Sequence, residues 1–379
     1  MRIAHFAPRI GATGGISTYI RRLGKAQLER GYDVRYCCFE QPDNGAFPPE
    51  HVEVVEDDEA LFNRARELEV DVLHLHRSVS FLPKDRVPTV RTMHGHQGGC
   101  PSASRYLSRP GKPCDRSYTV AGCLWGHVVD RCGSVRPQKL ISNFRRIHHE
   151  LSLAEQIPTC TVSTFLKQQM IRAGCSNKNL TSIPSPAPSV PYEWTPAPDT
   201  DDPRFLYLGR LVPQKGLEWL LHAFSHVEAS ARLDVAGDGP QEDEMHRLTR
   251  KLDIAGKVTF HGWVDSKQVE KLMRQARGVV FPSMWHEPAG LVSLEAAAYG
   301  RPVIASRSGG IPEYALPTFA TLVDPGDTDG LADAIHSLAT DRSLANRRGK
   351  EGRRKAEESF SMSQFVDRVE EWYHAALNN

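Results

Sequence analysis

The sequence predicts an α/β protein made of two halves, each a parallel sheet covered by helices. Three observations predict it. Short apolar runs alternate with amphipathic runs along the chain. The alternation stops once, in a stretch containing Pro184, Pro186, Pro188, Pro191, Pro196, Pro198 and Pro203. It then restarts with the same rhythm.

In the first half, Arg2 to Ala7 reads as a buried strand, and Ile16, Tyr19, Ile20, Leu23 and Leu28 mark a helical stripe closed by Gly31. Asp33 to Phe39 is the next strand, Ala60 to Leu68 a helix, Val70 to Leu75 a strand, and Thr89 to Met93 a strand ending at His94-Gly95-His96. Thr159 to Val162 and Leu180 to Ile183 are strands with a helix between them. No helix or central strand survives the proline density from Pro184 to Pro203, so this segment reads as a stiff linker and a domain boundary. In the second half the strands are Phe205 to Leu208, Leu233 to Ala236, Val258 to Phe260, Val279 to Phe281, Pro302 to Ala305 and Ala320 to Val323. Helices lie near Gly216 to Val227, Gln241 to Leu252, Ser266 to Ala276, Gly290 to Tyr299, Leu331 to Leu338 and Ser343 to Glu358. Ser361 to Leu377 carries Phe365, Val369, Trp372 and Tyr373 on one face, which must be buried somewhere. Two such halves place a binding site in the cleft between them.

Composition sets the outer bounds. With 379 residues, 40% of them apolar and 25% charged, the chain is of the soluble globular type with two or three domains. A net charge of +1 gives no sign of a nucleic-acid partner. The basic pairs Arg21-Arg22 and Arg145-Arg146 read as solvated surface, with contact to anionic lipid or phosphate as the other reading. No run approaches the ~18 apolar residues of a spanning helix. The chain opens on a strand rather than a signal peptide, so the expected location is the cytoplasm, with a peripheral contact at the inner membrane surface left open.

Of eight cysteines, Cys37, Cys38 and Cys160 fall in strands and read as core thiols, and Cys175 is uninformative. Cys100, Cys114, Cys123 and Cys132 cluster in a Gly/Pro/Arg-rich stretch with little periodicity. A structural zinc clip, with His127 able to replace one ligand, stands beside the reading of thiols that pin a loop. The tight Cys-x-x-Cys pairs of strong zinc motifs are absent from the stretch.

The chemistry centres on Glu287 and Glu295. Glu287 precedes a tight Pro288-Ala289-Gly290 turn, and Glu295 lies about two turns into the helix that follows. The helix start between them offers unpaired backbone N–H groups and a positive dipole end, which suit a diphosphate. Each carboxylate is then free to accept from sugar hydroxyls, and a sugar–diphosphate–sugar ligand is a nucleotide-sugar. Two exposed helix-end carboxylates are the structural alternative. Upstream, Arg210 and Lys215 leave a strand end in Tyr207-Leu208-Gly209-Arg210-Leu211-Val212-Pro213-Gln214-Lys215-Gly216, where two cations suit a departing diphosphate. In the first half, Gly11-Ala12-Thr13-Gly14-Gly15 follows a strand and lets backbone approach phosphate or sugar oxygens. Neither Gly-x-Gly-x-x-Gly nor Gly-x-x-x-x-Gly-Lys-Ser/Thr occurs at this turn, which weakens dinucleotide binding and P-loop hydrolysis. Ser308-Gly309-Gly310-Ile311-Pro312-Glu313 is a third candidate phosphate edge. Taken alone, His94 reads as a strand-end histidine bonded to backbone. His96 keeps that structural reading, and core packing accounts for Trp263 and Trp285 as well as a site does.

The order Gly-Gly, His-Gly, Gly-Arg-x-x-x-x-Lys-Gly, Glu-x7-Glu and Gly-Gly-Ile-Pro-Glu resembles the retaining nucleotide-sugar glycosyltransferases of family 4 (glycosyltransferase group 1), over essentially the whole chain. The resemblance implies the GT-B fold: two Rossmann-like doubly wound domains facing each other across a cleft. Residues 1–185 would be the acceptor-side domain, 186–203 the linker and 204–360 the donor-binding domain, with a C-terminal helix, 361–379, crossing back to the first. It also implies roles. Gly14 and Gly15 would lie against donor phosphates or acceptor. Arg210 and Lys215 would neutralise the diphosphate, Glu287 would bond the transferred sugar, and Glu295 the ribose. Backbone groups of Ala289, Gly290 and Leu291 would meet the phosphates, Gly262 and Val264 would cup the base, and His94 would contact the donor sugar. Family members need no bound metal, and the chain has no Asp-x-Asp pair at an expected strand end. Many members have Phe where this chain has Pro288-Ala289, and the Cys100–Cys132 insert is not general to the family. That insert falls where acceptors bind.

The function so implied is retaining transfer of a hexose-type sugar from a nucleotide diphosphate sugar to a glycan, lipid-linked or small-molecule hydroxyl, in polysaccharide or glycoconjugate synthesis. A non-catalytic nucleotide-sugar-binding or scaffold subunit is the alternative from another class. An epimerase or phosphorylase on the same fold is the alternative among enzymes.

Overall fold

The computed structural model describes residues 1–12, 14–43 and 45–377. Thr13 of the glycine turn and the last two residues of the expected C-terminal helix lie outside the described residues.

The first half runs β1 (Arg2–Phe6), α1 (Gly15–Glu29), β2 (Asp33–Cys38), β3 (Val52–Val54), α2 (Asp58–Glu67), β4 (Val72–Leu75), β5 (Thr89–Met93), β6 (Tyr106–Leu107), β7 (Lys112–Pro113), α3 (Val120–Val128), α4 (Pro137–Gln156), β8 (Thr159–Thr161), α5 (Thr164–Arg172) and β9 (Leu180–Ser182). The second runs β10 (Arg204–Leu208), α6 (Leu217–Ser225), β11 (Arg232–Ala236), α7 (Glu242–Lys251), β12 (Val258–Gly262), α8 (Ser266–Gln275), β13 (Ala276–Phe281), α9 (Leu291–Ala298), β14 (Val303–Ser306), α10 (Ile311–Tyr314), β15 (Ala320–Val323), α11 (Thr328–Thr340) and α12 (Arg342–Ser359), before α13 (Met362–Leu377).

Each half is built on a parallel sheet. The first has seven strands in the order β3-β2-β1-β4-β5-β8-β9, the second six in the order β12-β11-β10-β13-β14-β15. Helices cover both faces of the central strands, so β4, β5, β13 and β14 are buried at every position, polar residues such as His74, Arg91 and Arg277 included. Chain order reverses beside β1 in one sheet and beside β10 in the other. Ligands bind at such points, off the carboxyl ends of the strands.

Several contacts near the start of α5 join the halves. Glu313 on α10 accepts from the backbone N–H of Thr164 (2.7 Å) and Phe165 (2.6 Å), capping α5 of the other half. Ser163 Oγ donates to the Pro288 carbonyl (2.5 Å), and the Tyr314 hydroxyl bonds the Val162 carbonyl. Glu313 is therefore an interlobe cap, not part of the phosphate edge that its motif suggested. The proline-rich segment lies on the second half, where Ala187 and Val190 join the core and Trp194 Nε1 donates to the Gly300 carbonyl. Helix α13 returns to the first half. Phe365, Val366, Val369 and Tyr373 bury against Ile3, Leu23, Val72 and Val90, and Arg30 pairs with Asp367 and Glu370. The apolar face of Ser361 to Leu377 thus finds its partner.

Candidate active site

A cavity of about 440 Å³ opens between the halves. Its first-half wall includes Gly14, Gly15, Arg22 and His94, and its second-half wall includes Lys215, Glu287, Ala289, Leu291 and Glu295. Of the residues expected from sequence, Arg210, Gly262, Val264 and Gly290 are not on that wall. Arg210 is exposed on the loop after β10, where its carbonyl accepts from the Tyr207 hydroxyl (3.1 Å). Gly262 ends the outermost strand of its sheet, and Val264 packs on the second-half core. Gly290 is buried behind the wall as the N-cap of α9, where a Cβ would stand 2.9 Å from that of Tyr314. A wider groove of about 1160 Å³ beside Tyr192 and Arg347, on the second half, contains none of the expected residues.

The glycine turn faces open space. Gly14 has φ +97° and caps α1 without a side-chain bond. A Cβ on Gly14 or Gly15 would meet no protein atom within 4 Å, so internal packing does not account for two glycines here. The open space belongs to the cavity.

On the opposite wall, Lys215 Nζ donates to Glu287 Oε1 at 2.6 Å, and Ser283 Oγ donates to the same oxygen at 2.5 Å. The Glu287 side chain is 8% exposed and that of Lys215 19%, so the charges meet in a partly dehydrated place. The Lys215 ammonium also lies 5.7 Å from the Phe281 ring and 5.6 Å from the Trp285 ring. Glu287 is braced from behind by the Gly309-Gly310 motif. Gly309 has φ +62°, a Cβ there would lie 2.4 Å from the Glu287 carbonyl oxygen, and Gly310 N–H donates to that oxygen at 2.7 Å. The third glycine-rich stretch thus supports the glutamate turn and does not form a separate phosphate edge.

Arg22, read from sequence as solvated surface, faces Glu295 across the cavity. Burial pushes the Glu295 carboxyl above its usual range, and the Arg22 guanidinium opposes that shift. Burial likewise lowers Arg22, while Glu295 pulls it back up. A ligand oxygen donor or acceptor between them would replace lost water for both.

His94 ends a chain of buried imidazoles. His94 Nε2 lies 3.1 Å from His76 Nδ1, His76 Nε2 lies 3.0 Å from His5 Nδ1, and His5 Nε2 lies 2.7 Å from Gln27 Oε1. Burial drives the three rings toward neutrality: His5 to about 4, His94 to about 3, and His76 well below its usual value. Neutral imidazole has one N–H and one lone pair. With the Gln27 carbonyl as acceptor, each ring donates from Nε2 and accepts at Nδ1, so His94 is held with its Nδ1 lone pair available. Tyr19 meets the His94 ring edge-on at 4.7 Å and touches Phe365, tying α13 to this wall.

His96 has a different task. Burial lowers it to about 3, and its neutral ring bonds the His286 carbonyl across the cleft at 2.6 Å. His286 in turn meets Asp115 at 2.9 Å and Ser308 at 3.1 Å. Backbone bonding was the structural reading for His96, but the backbone it holds is the one leading into Glu287. Trp285 lies beside Lys215 and His96. Trp263 is 64% exposed and is not a core residue.

Both halves of the chain are similar to known proteins. The family profile described as glycosyltransferase family 4 matches residues 13–129. The profile described as glycosyl transferases group 1 matches residues 192–355. The lipopolysaccharide core biosynthesis glycosyltransferase LpsE of Rhizobium meliloti is 34% identical over 175 residues, which span 46% of this chain and 49% of that protein, about half its length. Among solved structures, sucrose-phosphate synthase from Thermosynechococcus elongatus superposes with a TM-score of 0.74 at 21% identity, covering 99% of this chain and 98% of that one. HepE of Anabaena, solved in complex with UDP-glucose, superposes with a TM-score of 0.70 at 18% identity, covering 99% and 100%. Both superpositions establish the fold: two Rossmann-like domains in the GT-B arrangement. The chain belongs to the group 1, family 4 glycosyltransferases.

Proposed function

We propose that the chain transfers a hexose-type sugar from a nucleotide diphosphate sugar to a hydroxyl acceptor with retention of configuration. The observation that carries this reading is the convergence of Lys215, Glu287 and Glu295 from one half with Gly14, Gly15, Arg22 and His94 from the other on a single cavity. In this reading the diphosphate lies along the N-terminus of α9, with Lys215 and the exposed Arg210 of the same loop as counter-charges. Glu287 accepts from hydroxyls of the transferred sugar, His94 Nδ1 accepts from another, and Glu295 accepts from the ribose. Gly262 and Val264 lie toward the base. When the glycosidic bond breaks, the departing phosphate gains charge, and pre-placed cations stabilise it without reorganising. That phosphate takes the proton of the acceptor hydroxyl attacking from the same face, so no separate protein base is required. The HepE complex makes UDP-glucose the first donor to try. LpsE supports envelope polysaccharide assembly as the setting.

The test is a thermal-shift screen against UDP-, GDP- and ADP-sugars, followed by NMR of the product anomer. One donor should stabilise the protein by mass action, and the product should keep the donor's anomeric configuration. Inversion overturns the mechanism. Donor binding without transfer or hydrolysis favours the scaffold reading. Turnover with no glycosyl acceptor, or with free phosphate alone, favours an epimerase or phosphorylase.

The acceptor half carries a face suited to an anionic bilayer, and we assign the peripheral membrane contact to it. Helix α3 exposes Val120, Leu124, Trp125 and Val128, with exposed Ile141 on nearby α4. Arg131, Arg136, Lys139 and Arg145 are exposed around them. Among the described residues no helix is long and apolar enough to cross a membrane. Vesicles containing phosphatidylglycerol should sediment the protein and neutral vesicles should not. Trp125→Ala should lower that binding, and equal binding by the variant would refute the assignment.

A further inference from the structure

Four thiols unused by the transfer chemistry converge on one small cavity. Cys100, Cys114, Cys123 and Cys132 line a space of about 20 Å³ in the first half, and all four are free thiols. They arrive from separate places: the turn after His96–Gly98, the end of β7, the middle of α3 and the loop beyond it. The unit they join has little core of its own. Its hairpin has two residues per strand, and its helix α3 turns its large apolar side chains outward. A unit that small needs a staple in place of a core.

Two buried polar groups beside the thiols lack what a metal thiolate would supply. Arg105 is 3% exposed, lines the same cavity, and its Nε has no hydrogen-bond partner. His127 is fully buried, and its Nε2 has no hydrogen-bond partner, while its Nδ1 lies 2.8 Å from the Cys123 carbonyl and 3.7 Å from Cys132 Sγ. A buried guanidinium N–H with no acceptor is costly unless an anion stands next to it. Arg116 lines the cavity too but is paired with Asp130 at 2.5 Å, so of the two it is Arg105 that faces the negative charge of a zinc ion with four thiolates without a carboxylate of its own.

We propose that Cys100, Cys114, Cys123 and Cys132 bind one structural zinc ion as thiolates, with Arg105 and His127 as hydrogen-bonding neighbours. Zinc takes four sulfurs tetrahedrally at about 2.3 Å. Among the described residues, the group whose ligand atoms all lie within 4.8 Å of one another is His5, His74 and His76. The sulfurs are spread more widely, so binding contracts the loops around the ion. The histidine trio is the weaker candidate because its nitrogens are already engaged: His5 and His76 with each other, Gln27 and His94, and His74 with Tyr373 and Thr92. The zinc unit also reaches the transfer site. Asp115, next to Cys114, holds His286, which directly precedes Glu287.

The full-length chain, purified without chelator and desalted, is assayed for zinc by plasma mass spectrometry. Cobalt is then exchanged in, and thiolate-to-cobalt charge-transfer absorption is recorded. The expected result is about one zinc per chain, a strong thiolate band, and loss of both in Cys114→Ser and Cys123→Ser. His127→Ala should retain zinc. Zinc far below one per chain with no thiolate band in the wild-type protein overturns the proposal, and so does peptide mapping that finds these cysteines as disulfides. Loss of zinc in His127→Ala with retention in any single Cys→Ser variant overturns the four-thiolate set. The wild-type cobalt spectrum decides the matter even where a cysteine variant fails to fold.

Discussion

Lys215 and Glu287 are bonded to each other, 2.6 Å apart, on the wall of the cavity between the halves. One group would meet a diphosphate and the other a sugar. Until a donor arrives, each holds the other in position and offsets the cost of its partial burial.

Breaking this pair should therefore be felt before any chemistry is measured. Glu287→Ala leaves an ammonium with Phe281 and Trp285 as its neighbours and should cost about 3–5 kcal/mol of folding stability. The Lys215→Ala, Glu287→Ala double variant should lose less than the sum of the two singles. Urea denaturation of the full cycle checks this, and additive losses would mean that the charges do not interact.

Glu295 should trade stability against binding. Burial raises its folded carboxyl pKa, so its contribution to stability is present below the unfolded value near 4.5 and lost as pH rises through the raised value. Glu295→Gln should consequently melt higher than the wild type at pH 7.5 without donor. It should also raise the donor KM through loss of charged hydrogen bonds, by about 1.5–3 kcal/mol in binding, with kcat changing less. Calorimetry and donor titration check the two halves of the claim.

The buried histidines work in the opposite direction. Their folded pKa values lie below the unfolded value of 6.5: His5 at about 4, His94 and His96 at about 3, and His74 and His76 well below. Their contribution to stability is present above pH 6.5 and is lost as pH falls toward those values. Each such ring should remove about 1.4 kcal/mol per pH unit in that window. The urea midpoint should fall steeply between pH 6.5 and 5, and replacing His5 with Leu should make the fall shallower. An unchanged slope would refute the assignment.

His76 should matter for rate although it does not line the cavity. His76→Phe removes the acceptor that orients His94 and should lower kcat about tenfold, or ~1.4 kcal/mol, with donor KM little changed. A fall in affinity with kcat preserved would make His76 a packing residue only.

Much of this was legible in the sequence because it was periodic or local. The sheet-forming runs, the Glu287–Glu295 spacing and the Lys215 loop are each readable from a few neighbouring residues. The exceptions share a cause. Strand β3 is three residues at a sheet edge, too short for a pattern. Helix α4 falls in the region between the cysteines and β8, where no regular element was expected. It is held in place by Glu150, whose carboxylate meets buried Arg91 at 2.8 Å, a pairing across fifty-nine positions. The imidazole chain joins residues from β1, from just past β4 and from just past β5. Those strands are neighbours only through parallel pairing, which puts His5 opposite His74. Arg22 looked like surface because its helix face is covered by the other half, and Arg210 shares the loop of Lys215 but stands exposed off the cavity wall.

Turnover of Lys215→Ala at saturating donor is the most direct test. If positive charge from the second half draws the diphosphate away, kcat should fall by about 2–4 kcal/mol in barrier, with donor still bound and the fold intact by circular dichroism. Turnover near that of the wild type under those conditions would contradict the account.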